Sequence, residues 1–262
     1  MRCILSCALA LGVTATVSGQ EPARPRAGSA AQRYDVVIRG GTVLDGSGRP
    51  AVRSDVALVG DRIVRVASDI PASGAARVVD ATGLVVAPGF IDMHAHIEPL
   101  LRLPTAESHV RQGVTLALGG PDGGGPFPLR AYFDSASRAN LGMNVAYLVG
   151  HGTIRRRVMG TENRAPTAAE LRRMEAMVAE AMKDGAFGMS TGLRYVPGTY
   201  ATTDEVVSLA RVAARAGGIY TSHLREEGVG LLEGVAEAIE IGRRAGIPIV
   251  LTHHKAVGRH GW

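Results

Sequence analysis

The sequence predicts an α/β fold, a partial (β/α)8 barrel of about six strands preceded by a small β-layer. Three observations carry that prediction. From residue 88 onward, short apolar strands alternate with amphipathic helices, the pattern of parallel βα units. Five of the eight histidines stand at the ends of those strands, where barrel folds collect their chemistry. Residues 34–87, in contrast, hold hairpin patterns and no helical periodicity.

Composition bounds the reading. The chain has 262 residues, 46% of them hydrophobic, which is one or two globular domains with an ample core. The net charge is +5, and nearly all the positive charge is Arg, the two lysines being Lys183 and Lys255. The arginines are interleaved with acids; only Arg155, Arg156 and Arg157 form a run, read as a solvated loop. Aromatic residues make up 4% of the chain, which leaves no stacking platform and excludes nucleic acid as a partner.

Residues 1–19 read as a secretory signal peptide. Arg2 supplies a positive start, Ile4 to Val13 an apolar run too short to span a bilayer, and Val17-Ser18-Gly19 small residues for cleavage. The expected location is secreted or periplasmic, with no stable membrane anchor. Cys3 and Cys7 both lie in this segment, so the mature protein is expected to hold no disulfide and no cysteine nucleophile. Residues 20–33, rich in Pro, Ala, Arg and Gly, read as a linker.

The β-layer, 34–87, begins with a run from Tyr34 to Asp45 that a Gly40-Gly41 turn is expected to break. A hairpin follows, Asp55 to Val66 around Gly60-Asp61, then strands at Arg77 to Asp80 and Leu84 to Ala87. The layer is expected to be antiparallel. In 88–262 the six predicted strands are Gly89–His96, Gly113–Gly119, Met143–Gly150, Ala186–Thr191, Gly218–His223 and Ile247–His254. Thr167 and Glu170 are spaced as a capping box ahead of a helix ended by Gly185. Thr202 and Glu205 repeat the device ahead of Val206 to Ala216, and Leu231 to Ala245 form a third helix closed by Gly246. A closed barrel needs eight strands and roughly 250 residues. The sequence reaches Trp262 just past the sixth strand, so either the fold does not close or two strands lie beyond this chain. The second reading is preferred.

The strand-end residues carry the chemistry. Side chains alternate along a strand, so His94 and His96 are expected to share a face, with Asp92 one pleat deeper. Alternation also puts His253 and Lys255 on one face and His254 on the other. His253 is assigned inward, because it brings in Lys255, a residue that reads either as a partner for an anionic substrate group or as a surface lysine. His223 ends the fifth strand. His151 ends the third and reads equally as a substrate-orienting or a loop-packing residue. Asp122 follows the second strand, in a Pro-Asp-Gly sequence that is also a turn signal. Nitrogen and oxygen donors without thiolate suit Zn2+, and also Mn2+, Fe2+ or Co2+, as one ion or two. His109 and His260 are left outside the site.

Taken in order, Val36 to Gly46, Pro88 to His96, Gln112 to Thr115, Val149 to Thr153, Ser190 to Ala201, Ser222 to Gly228 and Thr252 to Lys255 resemble the amidohydrolase superfamily. The segment through Tyr200 resembles most closely the N-acyl-D-amino-acid deacylases, or D-aminoacylases. The resemblance spans residues 34–262. It implies a metal-dependent (β/α)8 barrel, of which about six strands are present, and makes 34–87 part of a β-sandwich. It implies that His94 and His96 bind one metal position and His223 and His253 the other. Lys255 would contact the substrate carboxylate or the reacting carbonyl, and Tyr195 would line the substrate site.

Two departures follow. Such enzymes have Gly-Asn-Cys-Gly after strand two, where this chain has Gly120-Pro121-Asp122-Gly123, so Asp122 stands where the thiolate ligand would be. Their general base, an aspartate after strand eight, is expected beyond Trp262. The resemblance implies hydrolysis of N-acyl-D-amino acids, small-molecule substrates, by a metal-activated water; it leaves the oligomeric state open. The alternatives are a dihydroorotase-, hydantoinase- or dipeptidase-like enzyme and a non-catalytic metal-binding fragment. The first wants a carboxylated lysine or a glutamate after strand four, where this chain has Met189-Ser190-Thr191. The second would leave two long strand edges open.

Overall fold

The structure, a computed structural model, describes residues 33–259. The signal peptide, nearly all of the linker, both cysteines and His260 lie outside the described residues. The chain forms two compact units that divide between Ala87 and Pro88.

The first unit is a five-stranded sheet of β1 (Tyr34–Val43), β2 (Val52–Val59), β3 (Arg62–Ala67), β4 (Ala75–Asp80) and β5 (Val85–Val86). The order β3-β2-β1-β4 places β1 at its centre, with β5 paired to the far end of β1. The sheet is mixed: β1 runs antiparallel to β2 but parallel to β4 and β5. That corrects the expected antiparallel layer, because the chain crosses over after β3 instead of turning back. Gly40-Gly41 does not break the run either. Gly40 adopts φ 70°, and the register shifts between Ile38 and Gly41, so the pair makes a bulge inside one long strand. The Gly60-Asp61 turn joins β2 to β3 as expected. Tyr34, Val37, Ala57 and Ile70 form the small core of this unit.

The second unit is a curled half-barrel. Its strands are β6 (Phe90–Asp92), β7 (Val114–Gly119), β8 (Asn144–Gly150), β9 (Gly188–Gly192), β10 (Ile219–His223) and β11 (Ile249–Leu251). All pair in parallel, in chain order from β6 to β11. Six strands appear as the sequence predicts. The outermost, β6 and β11, have three residues each. The edges are therefore short, not the long ones expected of an open barrel. The histidines predicted to end those two strands lie beyond them in loops.

The connecting helices are α1 (Glu107–Val110), α2 (Leu129–Arg138), α3 (His151–Met159), α4 (Ala168–Lys183), α5 (Thr203–Arg215) and α6 (Leu231–Ala245). α4 starts on a complete capping box. Thr167 Oγ1 accepts from the Glu170 N–H at 3.3 Å, and Glu170 Oε2 accepts from the Thr167 N–H at 2.7 Å. α6 has its predicted bounds, and Gly246 ends it at φ 68°. Met174, Val178 and Ala181 of α4 and Val206, Leu209, Ala210 and Ala213 of α5 bury one stripe of each helix in a core shared with Tyr147, Met189 and Tyr220 of the sheet.

Two expectations change here. Arg155 to Arg157 lie in α3, and Arg155 is fully buried. Thr202 Oγ1 does accept from the Glu205 N–H at 3.2 Å, but the Glu205 carboxylate turns inward. Its Oε1 meets Arg155 Nε at 3.0 Å and His151 Nε2 at 2.9 Å. A buried guanidinium needs a counter-charge, and that need takes Glu205 out of its cap.

Candidate metal centre

Residues that follow β6, β7 and β11 and the last residue of β10, His223, meet at the C-terminal edge of the parallel sheet, with Asp122 at their middle. Its Oδ2 stands 3.2 Å from His96 Nε2, 3.5 Å from His94 Nε2 and 3.6 Å from His253 Nε2, and its Oδ1 stands 3.6 Å from His223 Nδ1. His94 Nε2 and His253 Nε2 are 3.1 Å apart. Two overlapping groups result, His94–His96–Asp122 and Asp122–His223–His253, each with its donor atoms within 4.8 Å of one another. The sequence named all five residues, and the fold brings them together.

The reasons differ from strand alternation. β6 ends at Asp92, whose Oδ1 accepts the His94 N–H at 3.0 Å. Asp92 thus shapes the bend that presents the two histidines. Likewise β11 ends at Leu251, and His253 and His254 adopt φ 64° and 30°. A left-handed bend, not a pleat, points His253 inward.

Asp122 is both a turn residue and a member of the cluster. It has φ 55° and sits between Gly120 at φ 73° and Gly123 at φ 75°, backbone that glycine adopts readily. A Cβ on Gly123 would lie 2.7 Å from the backbone nitrogen of Gly192, so only glycine lets this turn press against β9. Ser190 fastens the turn from below: its Oγ donates to Gly120 O at 2.6 Å and accepts from the Gly123 N–H at 3.1 Å.

The donor set fits a divalent ion. His94 Nδ1, Asp122 Oδ1 and His223 Nε2 are buried without a hydrogen-bond partner among the described residues, whereas buried polar atoms are ordinarily paired. Burial holds His94 and His223 below the usual histidine range, against the raising pull of Asp122 on both and of Glu227 on His223. Neutral imidazoles and a carboxylate, with no sulfur, are the ligands that first-row divalent ions take.

Around the cluster stand residues with other tasks. Glu227 is the member that sequence reasoning missed. It is buried, its Oε2 lies 3.4 Å from His223 Nε2, and its Oε1 lies 3.7 Å from His253 Nδ1. Both its oxygens accept from Lys255 Nζ at 2.7 Å. Its place four residues after His223 was the available signal. Lys255 reaches the centre's edge, paired to that carboxylate. The Tyr195 hydroxyl lies 3.3 Å from His223 Nδ1, and its ring is half exposed. His151 is not brought to the cluster: it starts α3, fully buried, with Nε2 on Glu205. His109 and His254 also stay outside.

Residues 77–257 match the amidohydrolase family. D-aminoacylase from Alcaligenes xylosoxydans xylosoxydans is 36% identical over 255 residues, covering 88% of this chain and 52% of that protein. N-acyl-D-glutamate deacylase from the same organism is 39% identical over 254 residues, with 88% and 52% covered. Among solved structures, N-acyl-D-glutamate deacylase from Bordetella bronchiseptica, complexed with zinc and a phosphonate mimic of the tetrahedral intermediate, superposes with a TM-score of 0.84. It is 35% identical and covers 88% of this chain and 53% of its own. The chain thus spans about half the length of the curated relatives it matches. The family match over residues 77–257 and the relatives at 36% and 39% identity agree, and the chain belongs to the amidohydrolase family.

Proposed function

We propose that this chain carries the metal centre of a hydrolase that cleaves the amide bond of N-acyl-D-amino acids, releasing a carboxylic acid and a free D-amino acid. The observation that carries the reading is the convergence of four imidazoles on Asp122, with three of the buried polar atoms left unpaired. The D-aminoacylase and N-acyl-D-glutamate deacylase similarities support the substrate class.

His94, His96 and Asp122 would hold one ion, and Asp122, His223 and His253 a second. An ion bound there would supply Lewis acidity, polarising the acyl carbonyl and lowering the pKa of a bound water toward about 7. Zinc is the ion of choice, with Mn2+, Fe2+ or Co2+ as the other members that the donor set admits; the zinc in the Bordetella relative supports that choice. Glu227 orients His223 and His253 from behind, the task carboxylates perform beside metal-binding imidazoles. The Tyr195 hydroxyl and the Lys255 ammonium are hydrogen donors at the rim for substrate oxygens. Export to a secreted or periplasmic location belongs to the same proposal, supported by Arg2 and the apolar run from Ile4.

The test is hydrolysis of N-acetyl-D- against N-acetyl-L-amino acids by the purified, metal-loaded full-length protein, with metal analysis. Selective release of D-amino acid, lost on chelation and in a His223→Ala variant, is expected. Undiminished turnover after chelation, or in that variant, overturns the reading.

A further inference from the structure

We infer that Arg156 binds a carboxylate of the substrate, in a pocket that opens beside the metal centre. The inference deepens the proposed function and rests on it for the substrate class. The pocket holds about 160 Å³ and is lined by Asp122, Thr153, Arg156, Tyr195, Pro197 and several glycines. Asp122 and Tyr195 belong to both the pocket and the histidine cluster, so a group held here adjoins the metal site.

Charge decides what that group is. Of the cations around it, Arg194 meets Glu226, Arg225 meets Glu237 and Arg155 meets Glu205, while Lys255, at the other side of the centre on Glu227, does not line this pocket. Arg156 has no carboxylate partner among the described residues; its Nη2 donates to Val196 O at 2.9 Å. A guanidinium carries five donors in a planar fork that matches a carboxylate. Arg156 lies in α3, whose first turn contributes Gly152 and Thr153 to the pocket wall and adds the positive end of a helix dipole.

Size narrows it further. At ~30 Å³ per water-sized group the pocket holds about five such groups, enough for a carboxylate on a short stem. An N-acyl-D-amino acid always offers its α-carboxylate, and an acidic one offers a second on its side chain. The shared chemistry is a carboxylate, and the experiment separates the two sources.

The measurements use the metal-loaded protein. KM and kcat are determined for N-acetyl-D-alanine and N-acetyl-D-glutamate in wild type, Arg156→Ala, Arg156→Lys and, as a control, Arg157→Ala, whose guanidinium donates to Phe127 O away from this pocket. Calorimetry compares D-alanine with D-alaninamide and D-glutamate with D-glutamine. Arg156→Ala is expected to raise KM about tenfold or more with a smaller change in kcat, and to erase the preference for acid over amide. Arg156→Lys should restore part of both, and Arg157→Ala should match wild type. Loss with both substrates assigns the α-carboxylate; loss with the glutamate pair alone assigns the side chain. An unchanged KM and an unchanged acid preference in Arg156→Ala, or no such preference in wild type, overturn the inference. If wild type hydrolyses neither substrate yet binds the acids through Arg156, the inference stands and the proposed function falls.

Discussion

Asp55 of the first unit and Asp122 of the second are both largely withdrawn from water, and they are completed in opposite ways. Asp55 Oδ1 accepts the Gly40 N–H at 2.8 Å, its Oδ2 accepts the Ile70 N–H at 3.0 Å, and Arg39 Nε stands 3.7 Å away. Burial pushes its pKa up, but those two N–H groups and Arg39 outweigh it and hold the carboxyl below its usual range. Asp122 Oδ1 has no hydrogen-bond partner, and the groups facing the carboxylate are four imidazoles. One carboxylate is finished by its own chain and ties a bulge to a loop. The other keeps acceptor capacity that no group among the described residues satisfies. Glu205 lies between them: its Oε1 takes both His151 and Arg155, while its Oε2 is buried and unpaired. A buried acid is a candidate ligand site when its own oxygen and the imidazoles facing it are left unpaired, and a structural tie when donors of its own chain complete it.

The contrast can be broken by substitution. The largest effect is expected from Asp122→Asn, which removes the charge shared by both ligand groups. Bound metal should fall by at least ~100-fold in affinity, read by metal analysis after dialysis, while the melting temperature of the metal-free protein changes little. Retained metal would make Asp122 a turn residue only. Glu205→Ala should do the reverse. It strands a buried guanidinium, so denaturant unfolding should show a loss of about 3–5 kcal/mol, with metal stoichiometry preserved.

Asp55→Ala comes next, at about 1–3 kcal/mol for the buried donors left unpaired, again with metal content unchanged. Its pH dependence has a definite sign. The folded pKa lies below the ordinary value of an unfolded aspartate. The stabilisation is therefore complete above that value and lost as pH falls through the folded one. Wild type should lose melting temperature on acidification below about pH 4, and the variant should show a shallower loss there. Thr167→Ala, which removes one side of the α4 capping box, is expected to cost about 1 kcal/mol; a neutral result would mean that the Arg164–Glu170 pair, bonded at 2.8 Å through both oxygens, holds that end by itself.

How legible the molecule was varies from residue to residue. α6 and the α4 capping box could be read directly, since cap and stop residues act within one turn. His94 and His253 were found for an incomplete reason: both belong to bends after three-residue strands, and a bend has no period to count. Arg155 and Glu205 are 50 positions apart in the chain, so nothing local marked the arginine run as partly buried or drew Glu205 from its cap. Glu227 had a local signal, four residues after His223, but its Lys255 partner is 28 positions away.

By itself, the sequence determined the alternation of strands and helices, the caps that bound α4 and α6, and the identity of the five residues around the centre. These follow from short-range sterics, hydrogen bonding and ligand chemistry. Only the tertiary structure decided that Asp122 stands among four imidazoles, that Glu227 lies beside two of them, and that Arg156 lines a pocket with no acid partner among the described residues. Each depends on loops after different strands arriving at one edge of the sheet, where a side chain's partners are set by packing across the fold and not by its neighbours in the chain.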